Sequence, residues 1–182
     1  MQEYSATAIE ILDAAERRMR SGGFDAVSYR YLADDVGMKA ASVHYHFPQK
    51  ALLGKAVVDR YAEKFLNTLG RIDHRQNSVE QHLQRLCDGY ESAVRNTGLI
   101  CLCCILGAES QDLPKIVSEA IANFFNQLIY WTQKALGDHP KATTLAPHLI
   151  GTLQGTMILA VTLKRPELMG EAANQLISLV NR

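Results

Sequence analysis

The sequence has no excess of charge of either sign: 19 Lys and Arg are matched by 19 Asp and Glu in 182 residues. That balance excludes a surface that holds nucleic acid by bulk attraction. The first 60 residues are just as even, with eight basic and eight acidic side chains. Long apolar runs are also missing. The longest, around Leu99 to Ala108, is too short to cross a bilayer. Met1-Gln2-Glu3 lacks the basic start and apolar stretch of a secretory signal, so a cytoplasmic location without a membrane partner is expected. No alternating β-branched run with hairpin turns occurs, which removes the signal for a sheet. Repeats and low-complexity segments are absent. So are Ser-His-Asp order, His-Glu-x-x-His and a phosphate loop, and the six histidines (His44, His46, His74, His82, His139, His148) are scattered. An enzyme or a cofactor site is therefore not expected.

What the chain does have is helical periodicity and enough apolar content for a core. Hydrophobic residues make up 47% and charged residues 21%, as in soluble globular proteins. An all-α fold is expected. A first helix is predicted from about Thr7 to Ser21, with Ile9, Leu12, Ala15 and Met19 on one stripe, closed by Gly22-Gly23-Phe24.

Two short helices follow. Ser28 is a good N-cap, and Val27 and Leu32 can staple its helix. Leu32, Ala33 and Val36 share a face, and Gly37 ends the helix by taking positive φ. The next helix runs from near Lys39 to Phe47, where Pro48 stops it. Val43 and Phe47 point to the core. Ala41 and Tyr45, flanked by Ser42 and His44, lie on the opposite face. Small residues let a helix backbone approach base edges, and hydroxyls and imidazoles can reach phosphates and bases. Two helices about a glycine turn, the second one outward-facing, have the form of a helix-turn-helix. The same pattern also occurs in helical domains that bind nothing.

The surroundings favour the DNA reading. Residues 7 to 53 resemble, without gaps, the TetR/AcrR family of transcriptional repressors. The likeness rests on Ile11-Leu12-Asp13-Ala14-Ala15, Gly23-Phe24, Val27-Ser28, Leu32-Ala33, Val36-Gly37-Met38 and the run His44-Tyr45-His46-Phe47 followed by Lys50. The sequence departs from the family at His44, where Tyr is usual, and at Lys39-Ala40, where Ser-Lys is common. The division expected is a DNA-binding head over 1–49 and a helical effector-binding and dimerisation body over 50–182. Candidate DNA-facing residues are Ser28, Tyr29, Lys39, Ala40, Ala41, Ser42, His44, Tyr45, His46 and Lys50, with Arg30 as a further phosphate ligand. With so even a charge balance, binding must depend on such placed cations and on helix N-termini.

The body is read as helices from about 50 to 72, 78 to 96, 99 to 110, 111 to 136, 143 to 164 and 166 to 181. In the last two, Leu149, Leu153, Met157 and Val161 form one stripe, with Gly151 and Gly155 allowing close approach. Leu168, Ala172, Leu176 and Leu179 or Val180 form another. Pattern alone fits an association surface or a monomer core equally well. The family resemblance implies a homodimer through these two helices, and two heads need a fixed spacing to read two half-sites.

Three of the four cysteines fall in Leu99–Glu109, and Cys87 lies on the preceding helix. Three readings stand: buried small hydrophobes, a redox or electrophile sensor, or a metal site. Cys-x-Cys-Cys is not a zinc-finger spacing. Cys101-Leu102, Leu106 and Glu109 resemble a Gly-Cys-Leu-x-Gly-x-Leu-x-x-Glu segment of one branch of the family, some members of which sense oxidants or electrophiles with that cysteine. The resemblance makes Cys101 the candidate sensor, with Cys103, Cys104 or Cys87 as resolving partner. It also implies a small-molecule inducer pocket in the body, for which Tyr61, Phe65, Tyr90, Cys101, Phe124, Phe125, Leu128, Trp131 and Gln154 are candidate liners. The rival reading is a thiol-reactive helical protein without operator binding.

Overall fold

In a computed structural model, residues 4–180 are described. Among them the chain forms nine α-helices, one 3-10 turn and no strand. In order these are α1 (Ala6–Gly22), the 3-10 turn Phe24–Ala26, α2 (Tyr29–Val36), α3 (Ala40–His46) and α4 (Lys50–Leu69). Then follow α5 (Val79–Thr97), α6 (Leu102–Ala108), α7 (Lys115–Ala135), α8 (Ala142–Thr162) and α9 (Glu167–Val180).

Side-chain caps and glycines set several of these ends. Ser5 Oγ accepts the Ala8 N–H and starts α1. Ser78 and Gln81 form a capping box at the start of α5. Gly98 ends α5 in the left-handed region at φ 64, and Gly70 follows α4 at φ 68. That glycine is why α4 stops at Leu69 and leaves Ile72 outside the helix. Pro114 precedes α7, whose first turn closes on its carbonyl through the Val117 N–H at 2.8 Å.

The chain packs as two compact units. One runs up to Ala62 and takes in Leu102–Phe124; the other comprises Glu63–Cys101 and the chain from Phe125 on. Residue 49 lies between α3 and α4, and the unit that holds the head continues beyond it into α4, α6 and the first half of α7.

In the first unit α1 buries Ala8, Ile11, Leu12, Ala14, Ala15 and Met19. Ile9, expected on that stripe, is 38% exposed, because the core face of α1 is centred on Ile11 and Leu12. Leu32 on α2, Val43 on α3 and Leu53 on α4 are fully buried. Each such side chain stabilises the fold by about 2 kcal/mol. Val36 is only half-buried. Polar braces reinforce this core. Arg18 forks onto the Asp35 carboxylate at 2.5 and 2.8 Å, tying α1 to α2, and Arg60 meets Asp13 at 2.6 Å, tying α1 to α4.

In the second unit α5, α8 and α9 pack on one another. Leu149, Leu153 and Met157 of α8 are buried there, as are Leu176 and Val180 of α9. The structure thus corrects the stripe reading: Leu149, Leu153 and Met157 are monomer core. The exposed apolar residues of α8 and its end are instead Ile158, Leu159 and Leu163. Among the described residues α8 alone has the length and hydropathy of a membrane span, because it is apolar nearly all round.

Candidate nucleic-acid interface

The helix-turn-helix is assembled by local chemistry. Ser28 Oγ accepts the Tyr31 N–H at 3.2 Å and opens α2. Gly37 adopts φ 72, ψ 34, and the following Met38 N–H returns to the Ala33 carbonyl at 2.9 Å. The chain therefore turns sharply, and α3 packs by Val43 and Phe47. Tyr29 locks the pair: its hydroxyl donates to the Phe47 carbonyl at 2.6 Å, and its ring meets the edge of His44 at 4.1 Å. Burial pushes the Tyr29 hydroxyl above its ordinary pKa. Arg18 holds the Asp35 carboxyl below the usual carboxylate range, keeping the α1–α2 brace charged.

This leaves one face of α3 to solvent. Ala40, Ala41, Ser42 and His44 are exposed, and Tyr45 is 83% exposed. A large aromatic side chain so fully out in water contributes nothing to the core. His46 is half-buried beside the Tyr45 ring at 5.4 Å. Lys39 stands exposed at the N-cap of α3. Lys50 is directed elsewhere, with its ammonium 3.2 Å from Asp25 Oδ1 and 4.4 Å from the centre of the Phe24 ring.

The even charge balance of the head acquires a pattern here. Asp35, Glu16, Asp25, Asp59 and Asp13 neutralise Arg18, Arg20, Lys50, Lys55 and Arg60. Among the described residues of the head, Arg17, Arg30 and Lys39 are exposed and make no ion pair. Sequence reasoning passed over Arg17. The helical phase of α1 held the signal, since its core positions place residue 17 on the outer face.

The other candidate residues separate into groups. In the first unit Tyr61 and Phe124 meet at 6.0 Å, and Cys103 is fully buried. In the second unit Phe65 meets Tyr90 at 5.3 Å, and Gln154 Nε2 donates to the Tyr90 hydroxyl at 2.9 Å. Gln154 Oε1 is buried with no hydrogen-bond partner among the described residues. Cys101 is 2% exposed, with its N–H directed at Met157 Sδ. Trp131 donates its indole N–H to the Gly70 carbonyl at 2.8 Å and lines an open groove of about 1020 Å³ with Tyr130, Arg71, His74 and Lys134. No described cysteine is in a disulfide. Cys87 is buried, and burial pushes its thiol up to about 12, with Asp88 and Glu91 adding to the shift. Cys104 alone is half-buried. Among the described residues no three His, Cys, Asp or Glu side chains converge as metal ligands.

Residues 11–57, from within α1 into α4, match the family model described as bacterial regulatory proteins, tetR family. No curated protein matches the sequence. Among solved structures, a TetR transcriptional regulator from Legionella pneumophila is 25% identical with a TM-score of 0.88, covering 98% of this chain and 99% of its own. A TetR-family regulator from Agrobacterium tumefaciens is 22% identical with a TM-score of 0.87, covering 95% and 96%. The reduced form of NemR from E. coli is 18% identical with a TM-score of 0.76, covering 93% and 95%. The matched head, residues 11–57, is that of the tetR family of bacterial regulatory proteins, and nearly the whole chain shares the fold of solved TetR regulators.

Proposed function

We propose that the chain is a homodimeric repressor whose two heads hold operator DNA until an effector acts on the body. The observation that carries the DNA reading is the outer face of α3: a backbone made accessible by Ala40, Ala41 and Ser42, with Tyr45 83% exposed beside them. On this reading the face enters the major groove, and Arg17, Arg30 and Lys39 meet phosphates.

Dimerisation is supported by the outer face of α8. Gly151 and Gly155 are exposed, and a Cβ built on either would meet nothing within 4 Å. Ile158 and Leu159 continue the same face at 42% and 55% exposure, and Leu179 of α9 is 43% exposed. A helix that is apolar outside as well as inside suits a second helix packed against it. Two subunits joined there would set the distance between two heads.

Release follows from linkage: an effector that prefers a different body conformation draws the population away from the DNA-competent one. A small-molecule effector is favoured by Gln154. Its buried Oε1, without a partner among the described residues, costs about 1–3 kcal/mol, which a ligand N–H or O–H would recover. Thiol modification is a second reading, favoured by the partial exposure of Cys104 on α6.

The test uses duplexes enriched by the full chain from a random-sequence pool. The wild-type protein should shift them at moderate salt, and Tyr45→Ala should weaken binding by about tenfold or more while leaving the helical circular dichroism unchanged. Equal binding by Tyr45→Ala would remove α3 from the interface.

A further inference from the structure

Glu109 lies in the turn after α6, and its carboxylate reaches back to the start of the head. Oε2 accepts the Phe24 N–H at 3.0 Å, across 85 residues of sequence. Gly23, at φ 76, makes the approach possible, since a Cβ there would run into the same carboxylate.

The rest of Phe24 is held as closely. Its ring is buried, with the Lys50 ammonium over it at 4.4 Å. The ring lies on Gly54 of α4, where a Cβ would meet Phe24 Cε2 at 2.6 Å and Val117 Cγ2 of α7 at 3.1 Å. Asp25, the next residue, pairs with Lys50. From this turn the chain passes through Val27, buried to 2%, into Ser28, the N-cap of α2. The helix pair α2–α3 thus springs from a turn whose backbone donor is held by a side chain of the α6–α7 connection. α6 also packs on α1, so both ends of the path α6–Glu109–Phe24–α2 lie in one compact unit.

We propose that Glu109 is a positioning residue for DNA binding: its bond to the Phe24 N–H holds the head in the orientation from which α3 meets DNA. The proposal rests on the DNA-binding reading above. A carboxylate accepting a backbone N–H is a strong, charge-assisted bond. Once it is lost, the turn samples other orientations, and apparent affinity falls by the fraction of heads that leave the competent one.

The experiment titrates full-length variants against a duplex enriched by the wild-type protein from a random-sequence pool. Glu109→Ala should raise Kd about tenfold. Its salt slope should be unchanged, because no phosphate contact is removed, and stoichiometric titration should show a full active fraction. Glu109→Gln keeps an acceptor at the same reach and should bind within about threefold of wild type. Gly23→Ala should also weaken binding, and by less in the Glu109→Ala background, where the carboxylate it would strike is gone. Should Glu109→Ala fail to fold, Glu109→Asp takes its place with the same expected loss, being one methylene too short to reach the N–H. A wild-type Kd for Glu109→Ala, a loss confined to the active fraction, or no recovery with Glu109→Gln would each overturn the proposal. If the wild-type protein enriches no duplex, the DNA-binding reading itself fails, and this inference with it.

Discussion

Among single residues, the sharpest chemical consequence lies at His82. It is fully buried on α5, its Nδ1 against the Arg85 guanidinium and its ring edge-on to His74 at 4.9 Å. Burial first, and then the charges of Arg85 and His74, hold its pKa below the ordinary histidine range, against a smaller opposing pull from Asp73. The folded chain therefore binds fewer protons here than the unfolded chain, and stability is lost as pH falls below about 6.5. The urea midpoint should be lower at about pH 5.5 than at about pH 7.5, and His82→Gln should remove part of that difference. An identical pH dependence in His82→Gln would show that the group contributes nothing. The cysteines give a second prediction. With Cys87, Cys101 and Cys103 buried, a bulky thiol reagent should label about one of the four cysteines rapidly in the native protein, at Cys104, and all four in denaturant. Rapid native labelling of Cys101 would contradict the packing. Sequence alone left the thiols open between core and sensor, because exposure depends on which helices cover α6, and local periodicity carries no record of that.

Elements were more legible than residues, for local reasons. Ser28 and Gly37 act within three or four positions of themselves, so their cap and turn could be read before any tertiary contact was known. Where the reading slipped, the deciding partner was distant. The phase of α1 moved from Ile9 to Ile11, and α8 proved apolar both inside and outside, so its sequence pattern could not tell core from association surface. Phe24 and Glu109 each fall in a stretch that resembles the family, but neither stretch carries a record of the other, so the bond between them across 85 residues could not be read in advance. The α8 reading yields its own prediction. Leu159→Glu places a charge on the proposed interface without touching the buried stripe. It should convert a dimer to a monomer in light scattering and leave the melting of the monomer fold nearly intact. A dimer that survives Leu159→Glu would place association elsewhere.

For the whole molecule, the even charge balance with which the sequence opens becomes an arrangement. Acidic side chains neutralise the head's inward and lateral cations, while Arg17, Arg30 and Lys39 stay available. A dimer carries six such groups. Each phosphate neutralised contributes about −0.9 to the slope of log Kobs against log salt, so the dimer should show a slope of about −5. The most direct measurement is the equilibrium binding of an enriched duplex at a series of salt concentrations. The account predicts one dimer per duplex, a slope of about −5, and a shallower slope by about 2 for Lys39→Ala. A protein that enriches no duplex, or binds DNA with a slope that Lys39→Ala leaves unchanged, would contradict it.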